Sequence, residues 1–114
     1  MGFQTDDIQG LGAYSVFPRS STMEGMGAIR AVGAPYSFGH FHGRLRCVLQ
    51  NKVPTGQLRG VGTPIACAVT ERLIDLAAKA RGEPALDFRR RNLLGEDAMP
   101  LILLSHPAES VCRI

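Results

Sequence analysis

A glycine-punctuated run at residues 54–64, followed at once by an amphipathic segment, constrains this chain more than any other feature. The run reads Pro-Thr-Gly-Gln-Leu-Arg-Gly-Val-Gly-Thr-Pro and carries a single arginine, Arg59. We expect Thr63 to cap a helix with Pro64 at its first position, since proline suits a helix start, and Gly82 to end it. A turn that opens into a helix points backbone N–H groups and the positive end of the helix dipole outward. The run therefore predicts a site for an anion or for the oxygen-rich edge of a cofactor.

The segment after this run has a helical period. Its aliphatic side chains recur every three or four residues and form one apolar stripe, whereas its charged side chains lie largely away from that stripe. The stripe consists of Ile65, Val69, Leu73, Leu76, Ala77 and Ala80, and the charged set of Glu71, Arg72, Asp75, Lys79 and Arg81. We predict a further helix that opens at Pro84 and carries Leu86, Phe88, Leu93 and Leu94 around the basic run of residues 89–91.

Shorter elements precede these helices. We expect residues 1–19 to form a strand or two with a glycine turn. Residues 20–33 should form a short helix that begins at a Ser-Ser-Thr tripeptide, whose residue types suit the N-cap, and that is weakened by two glycines. Residues 40–50 alternate between apolar and polar, which is typical of a half-buried strand. The whole pattern predicts an α+β architecture of short strands and two to three helices.

Composition is that of an ordinary globular protein. Of the 114 residues, 45% are apolar and 20% are charged, which argues against disorder and allows one domain with a modest core. A net charge of +3 without a clustered patch makes no case for nucleic acid. The N-terminus lacks a basic-then-apolar stretch, and the longest strongly apolar run, residues 101–104, is far too short for a bilayer. We therefore expect a cytoplasmic protein that binds neither nucleic acid nor membrane.

The cysteines predict no metal centre. Cys47, Cys67 and Cys112 lie far apart and are odd in number, and the chain has no CxxC pair and no Cys/His ligand spacing. We interpret them as reduced, mostly buried thiols.

Three blocks of sequence together resemble a known family. They are residues 51–62 around the arginine-glycine turn, residues 71–75 (Glu-Arg-Leu-Ile-Asp) and residues 88–94 (Phe-Arg-Arg-Arg-Asn-Leu-Leu). The combination of Arg-Gly-x-Gly-x-Pro, a later Glu and Arg-Arg-Arg-Asn-Leu is similar to the large, molybdopterin-binding subunit of the xanthine dehydrogenase, aldehyde oxidase and carbon monoxide dehydrogenase family. That subunit is several times longer than this chain. The resemblance therefore implies a fragment, with residues 1–98 as a partial molybdopterin-binding domain and residues 99–114 as a divergent tail.

The resemblance also implies an activity. Members of this family use a molybdenum–pterin (molybdopterin) cofactor to hydroxylate a carbon of an aldehyde or N-heterocycle with oxygen from water. Iron–sulfur clusters and FAD, which carry the electrons away, would lie on partner domains or subunits. The glutamate base of the family lies near the far end of the full subunit, so we expect no catalytic residue here and an inactive isolated chain. The implied partners are the rest of the large subunit, iron–sulfur and flavin subunits, and a small-molecule substrate.

Five positions are carried over from the family to this chain. The resemblance assigns Gln57, Leu58, Arg59 and Gly60 to the cofactor-binding loop and Val61 to the substrate pocket. Gly60 stands where carbon monoxide dehydrogenases have a copper-binding cysteine, and glycine has no ligand atom, so that activity is disfavoured. Val61 stands where xanthine dehydrogenases have a phenylalanine that sandwiches purines. A valine keeps the wall apolar but cannot stack, which weighs against purines.

Several of these features also have a simpler structural interpretation. Arg59 could order its own glycine-rich turn instead of contacting a cofactor. His40 and His42 share a strand face without a partner ligand, so we expect them to be solvent-facing or structural. We expect Glu71 to form an ion pair or to help helix packing, not to act as a general base. The arginines at 89–91 point in different directions on a helix, which favours a solvated face with one buried ion pair over a phosphate site.

A second hypothesis stays open at this point: a small stand-alone anion-binding or protein-interaction module built on the helix start at Gly62 and Thr63. It predicts a cooperatively folded monomer or small oligomer whose phosphate affinity is lost in Arg59→Ala. A fragment should instead expose the apolar faces that the missing parts would cover.

Overall fold

The computed structural model describes residues 2–17 and 20–98, which form two strands, three α-helices and a short 3₁₀-helix. In chain order these are β1 (Gly2–Leu11), α1 (Met23–Ala31), β2 (His40–Leu49), α2 (Thr63–Ala80), α3 (Ala85–Asn92) and the 3₁₀-helix Glu96–Ala98. This confirms the predicted α+β class of short strands and two to three helices, although α3 ends at Asn92 and leaves out Leu93 and Leu94, which the sequence pattern assigns to it. No helix in the described part of the chain is both long and apolar enough to cross a bilayer. The predicted tail, residues 99–114, lies outside the described residues.

Strands β1 and β2 lie side by side and run parallel, in register from Gly2 opposite His40 to Leu11 opposite Leu49. Because parallel neighbours cannot be joined by a tight hairpin, α1 forms the crossover between them. Strand β2 shows the predicted alternation over its middle: residues 43, 45 and 47 are half-buried, whereas residues 40, 42, 44 and 46 are exposed. The exposed set confirms that His40 and His42 face solvent. The alternation also predicts burial of Phe41 and Leu49, which is wrong, because they are 50% and 68% exposed.

Helix α1 packs on the sheet through a glycine. A Cβ at Gly25 would lie 2.6 Å from Leu45 Cδ1 and 2.7 Å from Gln9 Oε1, well inside van der Waals contact. The helix begins after Thr22, which is the N-cap but makes no side-chain capping bond. The glycine that lowers helix propensity therefore permits close contact between α1 and the sheet.

Helix α2 begins at Thr63, so the prediction that Thr63 caps it is wrong by one residue. Gly62 is the N-cap, with a left-handed backbone (φ +79°) that residues with a Cβ rarely adopt. The loop turns sharply at this position, and a glycine takes that conformation without strain. Pro64 lies in the first turn, and the helix ends at Ala80, just before Gly82, as predicted.

The buried face of α2 also differs from the predicted stripe. The buried residues are small or medium-sized: Ala66, Thr70, Ile74 and Ala78. The larger stripe residues are partly open to solvent, with Ile65 46%, Val69 39%, Leu73 42% and Leu76 45% exposed. At the start of α2, α1 approaches backbone to backbone at Gly27 and Gly62, which favours a small side chain such as Ala66 beside that contact. Further along, Thr70 accepts a hydrogen bond from Gly33 N–H, and Ile74 and Ala78 pack against Tyr36 and Phe88. The stripe is thus a partly exposed apolar face in the described part of the chain.

A compact apolar core lies towards the C-terminal half of α2. Ile74 and Ala78 pack there with Tyr36 and with Phe88 of α3. Phe88 is 3% and Ile74 2% exposed, and burial of side chains of this size contributes about 1.5–3 kcal/mol each. This core fixes α3 against α2.

The thiols are less buried than predicted. Cys47 is half-buried, but Cys67 is exposed, so the expectation of buried thiols is wrong for Cys67. It follows Ala66 on α2 and points away from the narrow buried face of that helix. Cys112 lies outside the described residues.

Candidate functional site

The five site residues predicted from the sequence lie in one surface turn between β2 and α2, outside regular secondary structure. We call residues 57–61 the arginine-glycine loop. Leu58, Arg59 and Gly60 are exposed, Leu58 to 85%, whereas Gln57 and Val61 at the two ends are half-buried. The structure thus brings these residues together, while their contact with a cofactor stays a prediction.

The loop presents free backbone donors. In the described part of the chain, the N–H groups of Leu58, Arg59 and Gly60 donate no hydrogen bond. Gly60 has a φ of +81°, and the nearest atom to the place of a Cβ there is Pro64 Cδ, at 3.9 Å. Successive N–H groups in an open glycine turn fit the oxygens of an anionic ligand.

The start of α2 offers fewer donors than the sequence predicts. The N–H of Thr63 donates to Gly60 O at 2.8 Å, and Pro64 has no N–H to donate. The N–H of Ala66 donates to Gly62 O at 3.0 Å. Anion binding at this junction therefore depends on the loop more than on the helix end.

The Arg59 side chain is available for a ligand. Its guanidinium makes no hydrogen bond or ion pair with any described residue. Among the described residues, no contact of Arg59 supports the interpretation that it orders its own turn. The turn is instead closed by the backbone bond between Thr63 and Gly60.

A groove of about 200 Å³ lies beside the first turns of α2, and Ile65 and Val69 form part of its apolar wall. Strand β1 adds Asp7, and α1 adds Ile29. None of residues 57–61 lines this groove. The arginine-glycine loop is therefore an open surface next to the groove and not part of its lining.

Glu71 belongs to a polar cluster away from the loop. Its Oε1 accepts a hydrogen bond from Tyr36 Oη at 2.9 Å, and its Oε2 accepts one from Arg89 Nε at 2.8 Å. Arg89 Nη1 also lies 2.8 Å from Asp75 Oδ1. Hydrogen bonds with Asp75 and Glu71 raise the pKa of Arg89 above its usual range. Glu71 is an ion-paired packing residue, as predicted, although its partners lie on other elements.

The other two arginines of the basic run face solvent. Arg90 Nη1 lies 4.0 Å from Asp87 Oδ1, with both side chains mostly exposed, and Arg91 pairs with Glu83. The side chain of Arg89 is only 24% exposed. The predicted solvated face is confirmed, but Arg89 makes two partly buried ion pairs, with Glu71 and Asp75, in place of the single buried pair predicted from the sequence. Among the described residues, no three His, Cys, Asp or Glu side chains are placed to hold a metal ion.

Sequence reasoning missed the residues that support the loop. Gln9 and Ser21 are buried polar residues, at 9% and 7% exposure, and they connect β1, α1 and the segment before the loop. Gly27 of α1 contacts the C-terminal end of the loop, because a Cβ added at Gly27 would lie 2.4 Å from Val61 O. A glycine in mid-helix is the one signal that could have indicated this close approach.

Comparison with known proteins identifies the family. A model of the molybdopterin cofactor-binding domain matches residues 1–93, which include both strands, all three α-helices and the arginine-glycine loop. The chain belongs to that family. It is also 36% identical, over 69 residues, to the gamma subunit of the 6-hydroxypseudooxynicotine dehydrogenase complex of Paenarthrobacter nicotinovorans. That match covers 60% of this chain and 9% of the subunit. These matches confirm the resemblance to a molybdopterin-binding fragment of the xanthine dehydrogenase family that the sequence shows.

The loop of this molybdopterin-binding fragment fits a pterin cofactor in two respects. Its free N–H groups, at Leu58, Arg59 and Gly60, suit the anionic and oxygen-rich edge of molybdopterin. The open space at Gly60 lets a ligand approach the backbone, which a Cβ would restrict. Both features belong to the chain's own backbone.

Proposed function

We propose that this chain forms one wall of the cofactor and substrate pocket in the large subunit of a molybdenum hydroxylase. When bound, the molybdenum–pterin cofactor supplies water-derived hydroxylation of an aldehyde or N-heterocycle carbon. The observation that carries the proposal is the exposed arginine-glycine loop, with its free N–H groups, in a chain of the molybdopterin cofactor-binding family.

The backbone does most of the binding in this proposal. The N–H groups of Leu58, Arg59 and Gly60 donate to cofactor oxygens, and Gln57 flanks them. The Arg59 guanidinium, which has no partner among the described residues, adds a charge-assisted hydrogen bond to an anionic oxygen. The chain supplies no acid or base for the reaction, because the family's glutamate lies elsewhere in the subunit. The isolated chain is therefore inactive.

Val61 contributes an apolar wall to the substrate pocket. It is half-buried at the end of the loop, and valine lacks the aromatic face that would stack on a purine. Aldehydes and small N-heterocycles are the proposed substrates, and Gly60 disfavours a copper-dependent activity because it has no ligand atom.

The proposed assembly is a cytoplasmic complex. Partner subunits or domains carry the iron–sulfur clusters and FAD, and the rest of the large subunit completes the pocket. Two observations support the existence of partner subunits or domains: the relative's name describes one subunit of a dehydrogenase complex, and the apolar stripe of α2 is partly exposed in the described part of the chain.

The decisive experiment removes one backbone donor. Leu58→Pro deletes an N–H from the loop, whereas Leu58→Ala keeps that N–H and trims a side chain that is 85% exposed. Both variants are made in the large subunit that contains this segment, and pterin and molybdenum content are measured after purification. We expect Leu58→Pro to lower cofactor retention about tenfold, in line with the loss of a hydrogen bond to a charged group, and Leu58→Ala to leave it unchanged. Equal retention in both variants would reject the loop as a cofactor contact.

Two measurements separate this proposal from the stand-alone module. The module predicts that the 114-residue chain binds inorganic phosphate and loses that affinity in Arg59→Ala. The fragment predicts self-association on size-exclusion chromatography, because Ile65, Leu73 and Leu76 are 42–46% exposed. A monodisperse monomer with Arg59-dependent phosphate binding would favour the module.

A further inference from the structure

Both ends of the arginine-glycine loop are tied to α1 or to the residues just before it. At the first end, Ser21 is 7% exposed and its Oγ donates to Thr55 O at 2.7 Å. The same Oγ accepts a hydrogen bond from Val16 N–H at 3.2 Å. Gln57 Nε2 adds a bond to Ser20 O at 3.0 Å. One buried hydroxyl therefore joins two segments that are far apart in sequence.

Gln9 fixes the backbone of Ser21 through a hydrogen bond. Its Nε2 donates to Ser21 O at 2.9 Å, and its Oε1 accepts from Gly25 N–H at 3.0 Å. The side chain is 9% exposed, so both bonds are made largely away from water. The first turn of α1 is thus fixed to β1, and this gives Ser21 a rigid base.

At its C-terminal end, the loop contacts the middle of α1 through backbone atoms alone. A Cβ at Gly62 would lie 2.3 Å from Ala28 N and 2.4 Å from Glu24 O, so the two backbones are in direct contact. Between this contact and Ser21, the N–H groups of Leu58, Arg59 and Gly60 have no intramolecular acceptor in the described part of the chain. Only the two ends determine where these groups point.

We propose that Ser21 is the positioning residue of the arginine-glycine loop, with Gln9 fixing Ser21. The inference rests on the proposed function, because it assigns Ser21 the task of aiming donors at the cofactor. Binding by preformed donors depends on a support that holds them before the ligand arrives. Without the hydroxyl, Thr55 O and Val16 N–H lose their partner, and the first end of the loop is released.

The first test uses the 114-residue chain with Ser21→Ala and a matched control, Ser37→Ala. Ser37 is exposed, and its side chain makes no hydrogen bond with any described residue. Two readouts follow the loop: the rate of trypsin cleavage after Arg59, and the exchange rate of the Thr63 amide, which is bonded to Gly60 O. We expect Ser21→Ala to raise both rates about tenfold and Ser37→Ala to change neither.

A specific role for Ser21 requires that the effect be confined to the loop. Cleavage after Arg72, inside α2, should rise less than cleavage after Arg59, and Ser21→Thr, which keeps the hydroxyl, should restore the slow rates. Equal acceleration at Arg59 and Arg72, or no acceleration at either, would overturn the proposal. If Ser21→Ala does not fold, Ser21→Cys provides the same comparison, because its thiol fills the site but hydrogen-bonds only weakly.

A second test separates this inference from the function on which it rests. In the large subunit, Ser21→Ala should lower pterin retention and, because a subunit without cofactor turns over no substrate, lower the apparent kcat in the same proportion. A loop that opens in the first test, in a subunit that keeps its cofactor and kcat, would leave Ser21 as a structural support and reject its role in aiming donors. Loss of the cofactor in Leu58→Pro but not in Ser21→Ala would reject the inference and leave the proposed function standing.

Discussion

The two halves of helix α2 are held by different means. The C-terminal half is held by side chains, with Ile74 and Phe88 buried to 2–3% exposure and Arg89 bridging two carboxylates. The N-terminal end is held by backbone contact, where Gly62 meets α1, and it leads directly to the exposed arginine-glycine loop. One helix therefore combines a packed half that carries stability with an end that leads into a loop whose N–H groups are free.

The difference teaches how a loop can be both exposed and defined. No apolar core covers residues 58–60, which are exposed, and the proposed function requires that a cofactor can reach them. Backbone contact through glycines and one buried hydroxyl fix the ends of the loop and leave its middle open. Local stability should be lowest at such a place, which makes the two halves separable by mutation.

The largest expected effect is in the packed half. Phe88→Ala removes a ring that is 3% exposed and should lower the free energy of unfolding by about 3–5 kcal/mol, measured by urea denaturation. Leu86→Ala on the same helix is the control. Leu86 is 56% exposed, so its change should stay within about 0.5 kcal/mol. Similar losses in the two variants would contradict the position of the core.

A pair of glycines tests the backbone contact next. Gly62 and Gly82 both have a positive φ, but a Cβ at Gly62 would lie 2.3 Å from Ala28 N, whereas nothing lies within 4 Å of one at Gly82. Gly82→Ala should cost only the backbone strain, about 1–2 kcal/mol. Gly62→Ala should cost about 1–3 kcal/mol more, because it also forces α1 and α2 apart. Equal losses would show that α1 does not touch the start of α2.

A smaller effect is expected from the ion pairs across α2 and α3. Arg89→Ala removes the partner of Glu71 and Asp75, whereas Arg90→Ala removes only a distant pair with Asp87. The urea midpoint should therefore fall in Arg89→Ala, by less than in Phe88→Ala, and should hardly move in Arg90→Ala. An unchanged midpoint in both variants would mean that Arg89 contributes nothing to the packed half.

The smallest effect depends on pH. Burial, and then the hydrogen bond to Glu71, raise the pKa of Tyr36 above its ordinary value of 10.0. The folded state therefore holds this proton more tightly than the unfolded state does. The associated stability is complete below pH 10 and is lost as pH rises through the folded value. Above pH 10, the melting temperature of Tyr36→Phe should therefore fall less steeply with pH than that of the unsubstituted chain. An equal fall in the two proteins would exclude Tyr36 as the source of the loss.

The helices of the packed half could be predicted from the sequence, because their signals are local. The apolar period, Pro64 and Gly82 gave the extent of α2 to within two residues, and Pro84 gave the start of α3. The sequence could not show which of the three arginines at 89–91 would be buried, because that depends on where Glu71 and Asp75 lie in space.

The start of α2 was harder to predict, because its determinants are not local. Gly62 is one of 13 glycines, and only its contact with α1 reveals why it caps the helix in place of Thr63. The buried face differs from the predicted stripe because it also depends on distant partners, Gly33 for Thr70 and Tyr36 for Ile74. The parallel pairing of β1 and β2 and the bonds of Gln9 and Ser21 join distant segments, and no sequence pattern marks them.

The most direct test of the central claim is an anomalous difference map, recorded at the molybdenum edge, from a crystal of the assembled large subunit with its cofactor. The account predicts a molybdenum peak beside the arginine-glycine loop and pterin oxygens within hydrogen-bond distance of the Leu58, Arg59 and Gly60 N–H groups. A peak elsewhere, with residues 58–60 facing bulk solvent or another protein surface, would contradict it.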